Sequence, residues 1–322
     1  MAAPSLTASV SRDLAPRSVR SAAVGPLGRG RSATLPVVTE TTVSPGDRLI
    51  ATEDERYNAT LIDRVDQHES LASFWVKFDG EPTPFEPGQY MTIGVFIDGR
   101  IVQRPYSVAS PPRDAGSIGY EFYLRLVQGG TFTPVLWDLP VGHRMRMIGP
   151  KGKFTLAPDD ARTHLFISSG TGNAPFVSMM RETMATGDRR RAVFINGVSF
   201  ERDLGYRELV EGWEVSGEYP VTFVPTVSRP ADPRNAGWTG RTGRAESVVE
   251  PVFRELGLSA DDTVAYLCGN PDMIIAAEAT LLGLGLPEEA VKKELYWPKG
   301  KEPRGVAGAA DAAVLTDLNA DE

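Results

Sequence analysis

The stretch from Phe166 to Arg181, FISSGTGNAPFVSMMR, constrains the fold more than any other part of the chain. An apolar run ends in two serines, a turn follows at Gly170 and Gly172, and Pro175 opens an apolar helical pattern. Glycines let a ligand approach the main chain, and proline fits the first turn of a helix. The free N–H groups at such a helix start form an anion site. The pattern therefore predicts a strand, a tight turn and a helix that bind a phosphate-bearing nucleotide.

The length and composition of the chain limit its class. At 322 residues it exceeds the size at which a single core usually stops growing, so we expect two domains. The net charge of −8 and the lack of a basic block argue against a nucleic-acid partner. No apolar run approaches the roughly 20 residues that span a bilayer, so we expect no membrane insertion. The single cysteine, Cys268, excludes an internal disulfide framework and a four-cysteine metal site, and predicts a reducing compartment and no metal centre.

Both ends of the chain are predicted to be disordered, over residues 1–48 and 304–322. The first of these segments is rich in Ala, Ser, Pro, Gly and Arg and has almost no aromatic residues. Such a segment buries too little apolar surface to offset the entropy of ordering it. Residues 1–47 also look like an organelle transit peptide, which would place the protein in an organelle matrix. The alternative interpretation is a disordered tail, or an upstream start codon, on a cytoplasmic bacterial protein.

Residues 49–157 are predicted to form an antiparallel Greek-key β-barrel. Short segments with alternating apolar residues, such as LASFWVKF and IGYEFYLRLV, are separated by turns roughly every ten residues. β-Branched and aromatic residues are enriched in these segments, as is typical of strands. A barrel closes its own sheet edges, which an open antiparallel sheet leaves unpaired.

Two places in the predicted barrel carry binding chemistry. The segment RPYS at 104–107 combines a guanidinium, which binds pyrophosphate bidentately, with a tyrosine face that stacks on a flat heterocycle and a serine that hydrogen-bonds a ring nitrogen. Further along, the glycine pair at 129–130 precedes Thr133, a predicted N-cap before Pro134, so a second helix start offers N–H groups to an anion. Each feature alone is common in scaffolds. Together, and followed by a nucleotide turn, they predict a cofactor site.

Residues 158–303 are predicted to form a parallel α/β domain, because continuous apolar strands alternate with amphipathic helices. Arginines follow one strand end, at Arg229, Arg241 and Arg244. Arginines at the carboxyl edge of a nucleotide-binding sheet suit the 2′-phosphate of NADPH, and solvated loop charge is the alternative interpretation. Cys268 opens a second turn and helix start, CGNP. A small buried apolar residue is the alternative interpretation of this cysteine, and it has no neighbouring histidine that would indicate nucleophilic thiolate chemistry.

Five motifs, in their order and spacing, resemble those of the ferredoxin–NADP reductase superfamily. The motifs are RPYS at 104–107, GTGNAP at 170–175, VSR at 227–229, WTGR at 238–241 and CGNP at 268–271. The likeness is greatest to the bacterial ferredoxin/flavodoxin–NADP reductases, because Tyr296 and Trp297 resemble the aromatic carboxy-terminal motif found there. Two positions depart from the family pattern: Asn173 stands where an apolar residue is usual, and Ser199 where some relatives place an arginine.

The resemblance implies FAD on the barrel and NADP(H) on the α/β domain. It assigns Ser107 to flavin N5, Cys268 to the nicotinamide and Tyr296 to the second flavin face, and these three are the implied catalytic residues. The implied cofactor-binding residues are Arg104, Pro105, Tyr106, Ser107, Tyr123, Leu124, Phe132, Thr133, Ser169, Gly170, Thr171, Gly172, Asn173, Ser228, Arg229, Arg241, Cys268, Gly269, Asn270, Met273, Tyr296 and Trp297.

The resemblance also implies a reaction and a partner. Hydride would pass between NADPH and FAD, and single electrons between FAD and ferredoxin or flavodoxin, in a monomeric protein. Such carriers are acidic, so basic residues are predicted to steer them, with a solvated surface as the alternative for the lysines. These residues are Arg144, Arg146, Lys151, Lys153, Lys292, Lys293, Lys299 and Lys301. The rival interpretations are the reductase component of an oxygenase, a free-flavin reductase, and a non-catalytic flavin-binding regulator.

Overall fold

The computed structural model describes residues 41–43, 48–295 and 313–314. Tyr296 and Trp297 lie outside these ranges, as does nearly all of both segments predicted to be disordered. The connection between the two halves, where the sequence predicts a boundary at 157/158, runs from Lys151 to Thr163. None of the helices in the described ranges has the length and apolar character needed to cross a membrane.

The first half is an antiparallel β-barrel, as the sequence predicts. Its strands are β1 (Thr41–Val43), β2 (Leu49–Ala51), β3 (Ala59–His68), β4 (Leu71–Phe78), β5 (Tyr90–Ile97), β6 (Arg100–Ser107), β7 (Tyr120–Arg125) and β8 (Arg144–Lys151), with helix α1 (Thr133–Asp138) before β8. The spatial order is β1-β2-β5-β8-β3-β4-β7, and β6 pairs with β5. A bridge between Val108, just after β6, and Phe122 on β7 closes the ring.

Side chains of strand β7 alternate between the barrel core and the contact with the second half. Tyr120, Phe122 and Leu124 point into the barrel core. Successive side chains on a strand point to opposite faces, so Glu121 and Arg125 face outward, toward the second half. Both form ion pairs with residues of that half. One strand therefore fills a core and carries an interface.

Helix α1 differs from its predicted start. It begins at Thr133 itself, with Phe132 before it, and no side chain caps its amino terminus. The Thr133 hydroxyl instead accepts a hydrogen bond from the backbone N–H of Val127 at 3.0 Å. The threonine therefore connects the preceding glycine loop to the helix. The local sequence does not reveal this hydrogen bond.

The second half is a parallel α/β domain, as the sequence predicts. Its elements are β9 (Thr163–Ser169), α2 (Ala174–Ala185), β10 (Ala192–Val198), α3 (Arg207–Ser216), β11 (Val221–Val227), β12 (Arg241–Thr242), α4 (Ala245–Glu255), β13 (Thr263–Gly269), α5 (Pro271–Gly283), β14 (Val291–Leu295) and β15 (Ala313–Val314). The order is β12-β11-β10-β9-β13-β14-β15. The strand order therefore reverses at β9: β10 and β11 lie on one side of it, and β13 and β14 lie on the other. Parallel sheets bind ligands at such a reversal.

Apolar side chains cover both faces of this sheet. One core includes residues of α2 and α3, and the other includes residues of α4 and α5. A separate, small apolar cluster joins the second half to the barrel, formed by Leu71, Ala109, Tyr123, Ala174 and Tyr206. Each half thus has its own core, and their apolar contact is limited.

The buried His164 gives the second half a pH-dependent stability. Its ring lies near Tyr266 and Phe166, and within the described ranges neither ring nitrogen has a hydrogen-bond partner. Burial, followed by the nearby Arg190, lowers the pKa of His164 from its ordinary 6.5 to about 4. In the unfolded chain His164 is protonated below about pH 6.5. In the folded protein it is protonated only below about pH 4.

We expect the free energy of unfolding to fall by about 3 kcal/mol from this residue as the pH drops from 6.5 to 4, and to be unaffected by it above that window. Urea denaturation at pH 7 and pH 4.5 measures the change. His164→Leu removes the titrating ring from an apolar site, so its denaturation midpoint should depend less on pH in this window. Equal pH dependence in both proteins would show that His164 does not titrate as described.

Candidate functional site

A cavity of about 790 Å³ lies between the barrel and the carboxyl ends of the parallel strands. That volume is within the range of about 300–1,000 Å³ typical of small-molecule and cofactor sites. The sequence-predicted residues that line it come from both halves: Pro105, Tyr106, Ser107, Tyr123, Ser169, Gly170, Thr171, Gly172, Ser228, Arg229, Cys268, Gly269, Asn270 and Met273. The two sets of residues, predicted separately, therefore meet in one cleft.

The predicted nucleotide turn forms the floor of this cleft. Residues Gly170–Asn173 make one short helical turn between β9 and α2. A Cβ atom at Gly172 would lie 2.4 Å from the carbonyl oxygen of Cys268, so no side chain fits there. The turn is therefore pressed against the end of β13, with its N–H groups at a helix start, where phosphates bind.

A second helix start faces the same crevice. The Asn270 side chain caps α5 by accepting hydrogen bonds from the backbone N–H of Asp272 at 2.8 Å and of Met273 at 3.4 Å. The N–H of Asn270 donates to the hydroxyl of Ser169 at 2.8 Å, which ties the ends of β9 and β13 together. Two helix dipoles thus direct positive potential into one cavity, an arrangement that fits a diphosphate.

The barrel wall of the cleft presents two neutral phenols. Tyr106 stacks on Phe132 with ring centroids 6.2 Å apart and planes inclined by 25°. The Tyr123 hydroxyl donates to Gln67 Oε1 at 2.8 Å. Burial raises the pKa of both tyrosines far above the ordinary value. They offer flat, uncharged faces at physiological pH, as stacking on a heterocycle requires.

The buried carboxylate of Glu294 connects the two halves through a hydrogen bond from Ser107. Glu294 lies opposite Cys268 in the pairing of β13 with β14 and is fully buried. The Ser107 hydroxyl, from the barrel, donates to Glu294 Oε2 at 3.3 Å. Burial, and secondarily Glu294, raises the pKa of the Cys268 thiol well above its ordinary value, so the thiol stays protonated. Ser107 and Glu294 are therefore hydrogen-bonded between the two halves, with Cys268 opposite Glu294 on the neighbouring strand.

The arginines predicted for a 2′-phosphate differ in position. Arg229 and Arg244 line the cavity. Arg241 forms an ion pair with Glu255, and its side chain is 40% exposed. Arg244 Nε contacts Glu246 Oε1 at 2.8 Å, so an acid neighbours it within the cavity wall. Two of the three arginines thus line the cavity, whereas Arg241 is not among its lining residues.

Some predicted residues do not line this cavity, and their roles stay predictions. The Arg104 guanidinium donates to the carbonyl of Gln103 at 2.7 Å. Asn173 is fully buried, and its amide donates to the carbonyl of Gly205 at 3.2 Å. The others are Leu124, Phe132 and Thr133, which are all buried.

Sequence reasoning missed some residues of the site. Arg125 and Asp203 line the cavity from opposite halves and pair at 3.1 Å, and Glu246 also lines it. Glu294 was the strongest signal overlooked, because an acid inside a strand that begins and ends in apolar residues is unusual unless it is paired. Groups of three or more His, Cys, Asp or Glu that could hold a metal are absent from the residues that the structure describes.

Comparison with known families matches both halves separately. Residues 58–156 match the family described as the oxidoreductase FAD-binding domain. Residues 166–279 match the oxidoreductase NAD-binding domain. The first match covers the barrel, with Tyr106 and Ser107, and the second covers the nucleotide turn and Cys268. The barrel wall is thus the FAD side of the cleft, and the parallel sheet is the nicotinamide nucleotide side.

Known proteins of similar sequence are reductases. Ferredoxin–NADP reductase B of Sorangium cellulosum is 31% identical over 221 residues, which is 68% of this chain and 88% of the relative. The phenol hydroxylase P5 protein of Acinetobacter pittii is 29% identical over 265 residues, 81% of this chain and 70% of the relative. A ferredoxin NADP+ reductase from Neisseria gonorrhoeae, solved with FAD and NADP, has the same fold, with a TM-score of 0.63 and 21% identity over 75% of this chain and 99% of that one. The chain therefore belongs to the ferredoxin–NADP reductase family of FAD- and NAD(P)-dependent oxidoreductases.

Proposed function

We propose that this protein is a ferredoxin–NADP reductase, which transfers hydride between NADPH and FAD and single electrons between FAD and ferredoxin or flavodoxin. One observation carries the proposal: a single cavity brings the flavin-side residues Tyr106 and Ser107 together with the nucleotide turn and Cys268. Domain boundaries at 49–157 and 158–303, a monomeric state and a cytoplasmic location belong to the same proposal.

The residues of the cleft would hold the two cofactors on opposite walls. Tyr106 would stack on the isoalloxazine ring, and Ser107 would hydrogen-bond its N5. Gly170 to Gly172 would bind the NADP pyrophosphate through backbone N–H groups at the start of α2. Bound FAD supplies the conversion between two-electron and one-electron chemistry. The protein's own contribution is to orient the rings and exclude water.

Glu294 gives Ser107 a defined hydrogen-bonding state. Because the carboxylate accepts from the Ser107 hydroxyl, it orients the proton of that hydroxyl away from the barrel wall. A carboxyl group one hydroxyl away can also hold or release a proton at Ser107 Oγ. Cys268, a neutral thiol at the sheet side, adds bulk without charge where the nicotinamide would lie.

The carrier would dock where basic side chains surround the cleft. Lys292 on β14 is exposed and lies two positions before the buried Glu294. Other predicted steering residues are already paired, because Arg144 contacts Asp79 and Lys293 contacts Glu278. Lys299 and Lys301 lie outside the described residues. An acidic carrier would be steered by the local charge although the whole chain is negative.

A second candidate function is the reductase component of an oxygenase. It is favoured by the similarity to the phenol hydroxylase P5 protein, of which this chain covers 70%. The two functions share the cleft and the cofactors and differ in the electron acceptor. Flavodoxin and ferredoxin are small mobile carriers, whereas an oxygenase component is a defined protein partner.

Anaerobic reduction of the purified protein tests the proposal. NADPH should bleach the flavin absorbance, and a ferredoxin or a flavodoxin should then reoxidise the flavin catalytically. Protein that is purified without flavin and binds none would contradict a flavin reductase. Flavin reduction by NADPH without electron transfer to any ferredoxin or flavodoxin would favour the oxygenase candidate.

Nucleotide selectivity should depend on Arg229 more than on Arg241. Arg229→Ala removes a cavity-lining guanidinium, so we expect kcat/KM for NADPH to fall about 10- to 100-fold, as for the loss of a charge-assisted hydrogen bond. The value for NADH should change less than about threefold, because NADH lacks the phosphate that the guanidinium contacts. Arg241→Ala is the matched control, with an expected change of less than about threefold, since its exposed ion pair contributes little. Equal losses for NADPH and NADH would contradict the phosphate assignment.

A further inference from the structure

A buried polar cluster connects the two halves outside the lining of the cavity. Its centre is Glu121 on β7, whose exposed fraction is 4%. Glu121 Oε2 accepts from Arg181 Nη1 at 2.6 Å, and Oε1 accepts from the Tyr206 hydroxyl at 2.7 Å and from Ser73 Oγ at 3.0 Å. Both carboxylate oxygens are therefore occupied, and two of the three donors belong to the second half.

The cluster fixes helix α2, which begins at the nucleotide turn, against the barrel. Arg181 on α2 donates to the carbonyl of Ala109 at 3.0 Å as well as to Glu121. Ser178, one turn earlier, donates to the carbonyl of Ser110 at 2.7 Å. Residues 108–111 directly follow the strand that ends in Tyr106 and Ser107. The helix that would hold the pyrophosphate is thus bonded to the loop that follows the flavin-binding strand.

A second connection reaches the turn itself through Gly205 and Tyr206. Tyr206 has a φ of +61°, which is unfavourable for a bulky residue, so its surroundings must hold it there. A Cβ atom at Gly205 would lie 1.7 Å from the Tyr123 hydroxyl, which shows how closely this bend meets the barrel. The Gly205 carbonyl accepts from the amide of Asn173, the last residue of the turn, at 3.2 Å. The path therefore runs from Glu121 through Tyr206 and Gly205 to Asn173.

We propose that Glu121 is a positioning residue for hydride transfer, which sets the placement of the nucleotide turn relative to the flavin wall. This inference rests on the proposed function. A buried ion pair adds little net stability over apolar packing of the same volume, yet removing one partner is costly because it strands the other. Here the carboxylate fixes the position of one half relative to the other, because it accepts hydrogen bonds from three donors and the apolar contact between the halves is small. Reacting rings are sensitive to such placement, because a shift of about 1 Å can cost about 100-fold in rate.

Glu121→Gln tests the inference, and Glu69→Gln is the matched control. Glu69 also joins the two halves, through Arg202 at 2.8 Å, but its side chain is 69% exposed. Glu121→Gln keeps the side-chain volume but removes the negative charge, and its N–H₂ group cannot accept, so at least one of the three hydrogen bonds to the carboxylate is lost. We expect the stopped-flow rate of flavin reduction at saturating NADPH to fall about 10- to 100-fold. The dissociation constant for NADP+ should change less than about threefold, because the turn still opens only rarely even where its amides exchange faster.

Hydrogen exchange provides a readout that needs no turnover. In Glu121→Gln, backbone amides at 170–173 and 205–206 should exchange at least about tenfold faster than in the wild type, because the bonds that hold the bend are lost. Glu69→Gln should match the wild type within about twofold in rate and exchange, as expected for an exposed pair. A lower melting temperature in Glu121→Gln with an unchanged reduction rate would overturn the inference and leave Glu121 a stabilising residue only.

Tyr206→Phe keeps the inference testable if Glu121→Gln does not fold. It removes one hydroxyl and keeps the ring, so we expect a smaller loss in rate, of about three- to tenfold. Faster exchange at 170–173 with no change in the reduction rate would again count against positioning. If the wild type is not reduced by NADPH at all, the proposed function fails, whereas the exchange experiment still reports on the connection between Glu121 and the turn.

Discussion

Gly172→Ala is expected to weaken NADP+ binding strongly while the protein still binds FAD. The added Cβ atom would lie 2.4 Å from the Cys268 carbonyl oxygen and 2.7 Å from the Gly269 Cα atom, and both are backbone atoms that cannot rotate away. The turn must therefore move, and its N–H groups lose their alignment with the phosphates. Loss of two charge-assisted hydrogen bonds, each worth about 1.5–3 kcal/mol, should raise the dissociation constant for NADP+ by at least about 100-fold.

Difference spectra during titration with NADP+ measure this effect, and the visible flavin spectrum checks that the barrel is intact. Gly212→Ala is the matched control, because Gly212 lies in helix α3 and a Cβ atom added there would have no neighbouring atom within 4 Å. It should bind NADP+ as the wild type does. Unchanged affinity in Gly172→Ala would mean that the phosphates bind elsewhere in the cleft.

Glu294→Gln should slow flavin reduction by NADPH by about 10- to 100-fold. The amide occupies the same volume as the carboxylate but loses the negative charge and the ability to hold a proton. Ser107 then loses a charged acceptor, so the orientation of its hydroxyl is no longer fixed by a carboxylate. Stopped-flow reduction at saturating NADPH measures the rate, and the flavin absorbance spectrum reports any change around Ser107.

Glu289→Gln controls for the same chemical change in the same segment, because Glu289 is exposed in the turn that precedes β14. Its reduction rate should equal that of the wild type within about twofold. Ser107→Ala should lower the rate in Glu294→Gln by less than it does in the wild type, since the two residues act on one hydroxyl. Full additivity of the two substitutions would argue that they act independently.

Local patterns were sufficient to predict the fold and the nucleotide turn. The turn at Gly170 and Gly172 combines glycines, an apolar strand and a proline at the helix start within a few residues, so neighbouring positions determine it. The alternation in the first half likewise depends on residues close in sequence. Hydrophobic periodicity and turn residues such as glycine and proline are sufficient to predict features of this kind.

The residues that sequence reasoning missed or placed differently depend on distant contacts. Glu294 meets Ser107 across 187 positions of sequence, so its segment alone does not show which residue the acid pairs with. Arg241 follows a strand end as Arg229 does, but Glu255 on α4 pairs with it. Asn173 is among the implied cofactor-binding residues, yet its amide bonds to Gly205. In each case a tertiary partner decides where the side chain points.

The small apolar contact between the halves has an evolutionary consequence. Because each half has a core of its own, substitutions among the few residues that join them can alter the spacing of the two walls without disturbing either core. Natural variation at these contacts can therefore change the reaction in the cleft while each half keeps its own packing.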